Sequence, residues 1–417
     1  MVDEGFSDDA FVQILLLLPT SARRRCRLVC RRWRDVIDEC TPERQVRTKI
    51  LAVVNDCGEA AYVFDGHDGR RLHMWMYWPE HGDVHMVGTC NGLICLHDSG
   101  MLGDGSLSTI TVANPMTGEK LALPPVPAAP PQSRSSGTYA FGYHPTTGRY
   151  KVVHLPCHRA RPTFDAVQVF TLGDDSSWRE VPAAALATGA SYNPSCGIVA
   201  VDGSAYWFTA SADRVVALDL GEDERVTSFD APPPVRPVET PEEASWQVTA
   251  VHARLGVAVS YREPTMARVE VWVAEGGVER RRRWSQMYSL VERGFADGGG
   301  WIITAPHLTY GEYILTTSRD RTELYRRKVD GRTKGGEAVE VTQLRPSEGA
   351  QLTMSYEIYG IGSTFAYVET REPVPRFAGD GGDGASKPAQ GASVVNPRLP
   401  ETYSELLSCK RRKIDSD

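Results

Sequence analysis

Four groupings of side chains along the 417 residues have the types and spacing that chemistry requires. His154, Cys157 and His158 fall within HLPCHRARP and form a candidate metal-ligand set. A structural zinc takes four ligands, however, and no fourth stands nearby. In a strand, His154 and His158 share a face while Cys157 points to the other, so a strand end with incidental polar groups is the simpler expectation. Cys90 and Cys95 flank a turn in CNGLICL, where a reactive thiol would fit. Asn-Gly is a strong hairpin dipeptide and cysteine a common buried residue, which favours a structural role. Cys26 and Cys30 stand one helical turn apart on an otherwise apolar stripe, and packing is favoured over metal or redox chemistry. Arg280 to Arg283, followed by Trp284, offers cations beside a ring that can stack on a base. A charged strand edge that discourages further pairing accounts for the same residues.

The remaining signatures of catalysis are missing. There is no phosphate-binding GxxxxGK(S/T), no HExxH, no GxSxG and no calcium loop, since DGGDG (Asp380 to Gly384) lacks spaced carboxylates. Ten histidines are dispersed and show no cluster for a metal enzyme. The expectation is a non-enzymatic protein with no catalytic residues, no metal and no cofactor. The formal net charge of −7 argues against coating nucleic acid along the chain. Nine cysteines without a CxxC pair, and an acidic opening where a signal peptide would be basic, point to reduced thiols in the nucleus, the cytoplasm or both. The longest apolar run, Ile14 to Leu18, is too short to cross a membrane.

The N-terminal segment differs from the rest. Its first fifty residues carry a net +2, including seven arginines between Arg23 and Asp38. Asp8 and Asp9 suit the first turn of a helix that runs to Pro19. Phe11, Ile14, Leu15 and Leu18 form one apolar face of it, while Val12, Leu16 and Leu17 fill the remainder. A helix apolar all round must be covered on every side, and about fifty residues cannot do that alone. A partner surface is implied, either in this chain or in another protein. A second helix places Cys26, Val29, Cys30, Trp33, Val36 and Ile37 on one stripe, with Arg24, Arg27, Arg31 and Arg34 opposite as a solvated face.

SDDAFVQILLLLPTSARRRCRLVCRRWRDVID resembles an F-box: an acidic opening, an apolar helix ending in Pro, a polar break, then a Leu-Val-Cys-x-x-Trp helix. The usual Leu-Pro opening reads Phe6-Ser7 here. The resemblance implies a helical module over residues 1–48 that docks a Skp-type adaptor and, through it, the cullin and RING subunits of an SCF ubiquitin ligase. Carried over position by position, the adaptor-binding residues are Phe11, Ile14, Leu15, Leu18, Pro19, Leu28, Val29, Trp33 and Ile37.

From about residue 49 the chain breaks into short strand-like runs, among them GLICLHD, YKVVHL, AVQVFTLG and ARVEVWVAEG, separated by Gly, Pro, Asn and Asp. Unit starts near Gly92, Tyr139, Gly197, Trp246 and Trp301 recur at roughly 50 residues, a kelch-like blade length. A sixth unit pairs Ala61 to Trp78 with Thr364 to Thr370 and closes the ring from both ends, leaving no exposed sheet edge. The expected fold is a small α module followed by a β-propeller over 49–372, with a pair of β-sandwiches as the alternative. Trp178, Trp207, Trp246, Trp272 and Trp301 are expected in blade cores. CNGLICL, NPMTGEKLALPP, AFGYHPTTGRYKVV, VQVFTLGDDSSWREV and VDGSAYWF resemble the F-box-associated domain of plant proteins, which implies a target-binding role.

Residues 373–417 are Gly- and Ala-rich and read as a disordered tail. Lys410, Arg411, Arg412 and Lys413 read as a nuclear localisation signal or as a solvated basic end. Together these features lead to a substrate receptor of an SCF ligase, with an unknown target protein, no membrane contact and no nucleic-acid role. The alternative is a non-ligase interaction scaffold carrying a degenerate F-box.

Overall fold

Strand-forming runs alternate with two-residue turns at Asn91-Gly92 and Asp202-Gly203, where both residues take positive φ (52° and 82°, 50° and 73°). That backbone matches the twist of antiparallel strands and is the hairpin geometry expected of Asn-Gly and Asp-Gly. In the computed structural model the described residues are 8–18, 20–26, 29–30, 32–33, 36–37, 49–55, 59–64, 72–78, 84–98, 108–127, 138–157, 162–183, 190–233, 244–251, 254–263, 266–275, 283–293, 301–303, 309–310, 313–318, 323–328, 340–344 and 361–376.

Among the described residues these strands form a β-propeller of six antiparallel blades, with a separate two-stranded sheet of Thr163–Phe164 and Ala190–Ser191 and a small helical module at the N-terminus. Blade I joins Ile361–Tyr367 to Lys49–Asn55, Glu59–Phe64 and Leu72–Trp78. Blade II is Val84–Cys90, Leu93–Asp98, Thr109–Ala113 and Lys120–Ala122; blade III is Tyr139–His144, Arg149–His154, Ala166–Thr171 and Arg179–Pro182. Blade IV is Ile198–Val201, Ser204–Phe208, Arg214–Asp219 and Val226–Asp230. Blade V is Ala244–Val251, Arg254–Glu263, Met266–Glu275 and Arg283–Arg293. Blade VI is Trp301–Ile303, Tyr313–Ser318, Leu324–Lys328 and Glu340–Leu344, with Thr309–Tyr310 paired to its second strand. The sandwich alternative falls away. Blades III and VI begin at the expected Tyr139 and Trp301; blade II begins one strand earlier than expected, at Val84. The direct partner of the C-terminal strand is Lys49–Asn55, in the register Ile50 to Ala366 and Leu51 to Phe365, so blade I holds one strand more than the sequence pattern showed.

Inner strands meet in sequence order, Ile361–Tyr367 against Val84–Cys90, then Tyr139–His144, Ile198–Val201 and Ala244–Val251. The core lies between neighbouring blades. Leu51, Val63, Ile94 and Tyr367 join I to II; Leu93, Val112, Val152 and Phe170 join II to III. Val153, Val169, Trp207 and Leu218 join III to IV, Phe208, Val215, Val257 and Val259 join IV to V, and Ile314 of blade VI packs on Val269 and Leu290 of blade V. Trp207 and Trp178 are buried, and Trp246 and Trp272 pack at the edge of the IV–V core. The side chain of Trp301 lies outside the described residues.

Polar contacts add register between blades. Lys151 of blade III donates to Glu224 Oε1 at 2.6 Å and to the Gly221 carbonyl at 2.8 Å. Arg179 forks onto the same carboxylate at 2.7 and 2.8 Å. Burial alone would raise the Glu224 pKa, but the hydrogen bonds from Arg179 and Lys151 outweigh it and hold the carboxyl below its usual range.

Beyond the closing strand, Val368 to Arg376 runs across the turns of blades II and III as a strap. Asn114 Nδ2 donates to the carbonyls of Thr370 (3.1 Å) and Glu372 (2.5 Å). Tyr150 Oη donates to Glu372 Oε1 at 2.8 Å, and the Val374 amide donates to Glu119 at 3.0 Å. Val374 is buried in the II–III core. Gly92 makes room for the strap, since a Cβ there would lie 2.6 Å from the Val368 carbonyl.

Two stability outcomes follow from these contacts. Glu224→Ala leaves the Lys151 ammonium buried without a counter-charge and should cost about 3–5 kcal/mol in a denaturant melt; a loss under about 1 kcal/mol would contradict the role given to this network. A chain ending at residue 376 should melt at the full-length temperature. One ending at 360 lacks both the closing strand and the strap, and should lose its cooperative thermal transition.

Candidate functional site

The helical module starts with α1 (Asp8–Leu16), whose acidic first turn complements the positive end of the helix dipole. Its end tightens through Leu17 N donating to the Ile14 carbonyl (3.2 Å) and Leu18 N to Leu15 (3.0 Å), just before Pro19. Helix α2 (Thr20–Cys26) follows, and Arg23 lies 3.5 Å from the Leu15 carbonyl, placing a cation at the negative end of α1. Arg32, Trp33, Val36 and Ile37 are helical again.

Phe11, Leu15, Val36 and Ile37 form a buried miniature core, with Val12, Leu18, Cys26 and Trp33 packed partly against it. The Phe11 and Trp33 rings tilt against each other with centroids 4.7 Å apart. The nine residues assigned from the resemblance therefore separate by environment. Phe11, Leu15 and Ile37 are interior, Leu18 and Trp33 are half-buried, and Ile14 and Val29 face solvent at 45% and 61% exposure. Pro19 and Leu28 lie outside the described residues. Cys30, expected on the buried stripe, is exposed together with Val29, because α2 stops at Cys26 and does not carry that stripe onward.

Leu16 (36%) and Leu17 (85%) are exposed as well, and the residue-by-residue assignment passed over them. The signal was present in the all-round apolarity of the helix. Among the described residues, five large apolar side chains are exposed; four of them, Ile14, Leu16, Leu17 and Val29, belong to this module, and Met116 is the fifth. Burying one such side chain is worth roughly 1.5–3 kcal/mol, so four of them left in water on one small module is a cost that a covering surface would remove.

The other chemical candidates are used in packing. His154 is buried and shares a 2.8 Å hydrogen bond between Nδ1 and Gln168 Oε1. It stacks on Tyr139 at 4.3 Å, Tyr139 on His97 at 4.5 Å, and His97 on His85 at 6.5 Å, a row that crosses from blade III to blade II. His97 also bonds Ser108 through Nε2 at 2.7 Å. Burial lowers both His97 and His154 to about 4, aided at His97 by the neighbouring imidazoles of His85 and His154. This juxtaposition of dispersed histidines was not visible in sequence. Among the described residues no three His, Cys, Asp or Glu side chains converge as metal ligands. Cys157 is buried, with its thiol pushed up to about 12, and Cys95 is buried and shifted further in the same direction; neither suits a nucleophile. Trp284 donates to the Asp230 carbonyl at 2.9 Å and packs on Phe229, so its ring serves the IV–V interface. His158, Arg280 to Arg282 and Lys410 to Lys413 fall outside the described residues. Among the described residues no helix is long and apolar enough to cross a membrane.

The module and the propeller each match a family model. Residues 5–44 match the F-box domain, and residues 70–325, more than half of the chain, match the F-box associated beta propeller domain. The chain belongs to the F-box associated β-propeller family. An F-box/LRR-repeat protein of Arabidopsis thaliana is 27% identical over 304 residues, covering 67% of this chain and 65% of that relative's length. A putative F-box protein of the same plant is 21% identical over 368 residues, covering 85% and 97%. Among solved structures, a chain of the nidogen/laminin complex is similar over 78% of this chain and 99% of its own, at 10% identity and a TM-score of 0.40.

The imidazole row sets a pH dependence for this F-box protein. Between pH 6.5 and 4 the unfolded chain binds protons at His97 and His154 that the folded chain resists. Stability is therefore greatest above about 6.5 and falls as the pH drops toward 4. Denaturant melts from pH 7 to 4 should show that decline, and His97→Leu should flatten it; an unchanged slope in the variant would remove His97 from the account.

Proposed function

We propose that the protein is a non-catalytic substrate receptor of an SCF-type ubiquitin ligase. The F-box docks a Skp-type adaptor and through it the cullin and RING subunits, and the propeller holds a target protein. The supporting observation is that Ile14, Leu16, Leu17 and Val29, four of the five exposed large apolar side chains among the described residues, lie on the module that matches the F-box. Phe11, Leu15 and Ile37 form the buried core of the module and contribute through its fold. The arginine-rich composition of residues 23–34 would steer an acidic adaptor and raise association rate more than affinity. Tethering supplies the catalytic benefit: a target held on the propeller sits at high effective concentration beside the ubiquitin-transfer machinery. The protein acts in the nucleus, the cytoplasm or both, with Lys410 to Lys413 as the import signal for the first.

The test is capture of the full-length protein by a plant Skp-type adaptor. Ile14→Glu and Leu17→Glu should each weaken binding by about tenfold or more while leaving the melting temperature unchanged, since both side chains already face water. Leu15→Asp is expected to unfold the module instead. Equal capture of the wild type and both surface variants would overturn the docking role.

A further inference from the structure

Helix α2 carries three arginines in succession, Arg23, Arg24 and Arg25. Residues two apart on a helix stand about 200° apart round its axis, so Arg23 and Arg25 face opposite ways. Arg23 turns inward to the module, toward the Leu15 carbonyl. Arg25 turns outward and meets the propeller: a Cβ built on Gly148 would lie 3.3 Å from its Cδ and 3.8 Å from its Nε. Arg25 is nonetheless exposed, so its aliphatic stem packs on the blade III turn while its guanidinium stays in water.

Gly148 leaves the room that this stem needs. It closes the turn from His144, donating to the His144 carbonyl at 2.9 Å, and its φ of 73° admits glycine far more readily than other residues. The turn rests on blade IV. A side chain at Gly203 would collide with His144 and Pro145, and His144 Nε2 lies 3.8 Å from Asp219 Oδ1. Further carboxylates stand on this rim: Asp202 precedes Gly203, and Glu222 and Asp223 follow Asp219 closely. All three are exposed and form no ion pair among the described residues, whereas Asp174, on the other side of the turn, is paired with Arg149. The arginine run thus meets ground with an excess of negative charge, which orients α2 before the stem seats.

Among the described residues the buried core of the module is drawn from the module alone, from Phe11, Leu15, Val36 and Ile37. Its orientation on the propeller is therefore set by surface contact and not by a shared core. We propose that Arg25, seated on the Gly148 turn, locks the module in one orientation on the propeller. Exposed charges attract only weakly, but both partners belong to one chain, and that tethering keeps a weak contact populated. Ile14, Leu16, Leu17 and Val29 remain exposed with the seat filled, so the lock and a docked partner coexist. On the receptor reading, on which only this consequence rests, the lock fixes the path from adaptor to bound target, and Arg25 is a positioning residue for ubiquitin transfer.

Pulsed electron paramagnetic resonance on the full-length protein reads the orientation, with spin-labelled amino acids encoded at Gln13 and Glu180, both exposed. The wild type should give one narrow distance peak. Arg25→Lys should keep it, since stem and charge are retained, and Arg25→Glu should lose it. Gly148→Asn tests the propeller side: asparagine tolerates a positive φ, but its side chain fills the seat, and the peak should again be lost. Arg25→Glu, at an exposed position, should melt at the wild-type temperature and carries the test if Gly148→Asn fails to fold. A broad distribution in the wild type, an equal loss in Arg25→Lys, or a narrow peak retained in Arg25→Glu overturns the proposal. The adaptor arm is separate. Gly148→Asn should bind a Skp-type adaptor within about twofold of the wild type, because the change lies outside the module. The adaptor should also leave the wild-type peak in place, and its loss on binding would overturn the coexistence of lock and partner. A narrow peak with no adaptor binding by any form would uphold the lock and defeat only the ligase reading.

Discussion

Neighbouring blades of this propeller bury their faces against one another, from I on II through to V on VI, and the strand pairing of blade I ties the two ends of the chain together. The closing sheet is built from both ends of the chain, with Ile361–Tyr367 as the inner strand beside Lys49–Asn55. This pairing joins residues more than 300 positions apart, so its loop-closure cost is large and must be repaid by contacts made in one step. The strap provides them. Asn114, Tyr150 and Glu119 each bind the segment after the closing strand, and Val374 enters the core between blades II and III.

That arrangement also organises the surface. Turns of blades II and III carry the strap, and a turn of blade III touches Arg25 of the helical module. The two termini of the described chain are thus brought to one side of one blade, although nothing in the linear sequence brings them close. The module uses its interior differently from its exterior. Phe11, Leu15 and Ile37 hold the helices together, while Ile14, Leu16, Leu17 and Val29 remain in water.

Buried polar groups show the same economy. Glu224 accepts from both Lys151 and Arg179 and ties blade III to blade IV, while His97 and His154 are kept neutral in a stack with Tyr139. In each case a group that looks reactive in isolation is occupied by neighbours supplied by another strand. These groups therefore hold neighbouring blades in register.

Sequence by itself determined the class of the fold and its two-part organisation. Alternating strands, Asn-Gly and Asp-Gly turns and a roughly 50-residue recurrence are local properties, set by backbone sterics and by burial on a pleated surface. The apolar excess of α1 was equally legible and implied a partner surface. Tertiary structure alone decided which of those side chains face out. Helical periodicity places Ile14 and Leu15 on one broad face, but the packing of Trp33, Val36 and Ile37 against Phe11 and Leu15 buries one and leaves the other in water. It also decided that His97, Tyr139 and His154 meet, and that the strap runs to blade III. Such encounters depend on which blades become neighbours when the ring closes, and no spacing along the chain encodes that without the fold.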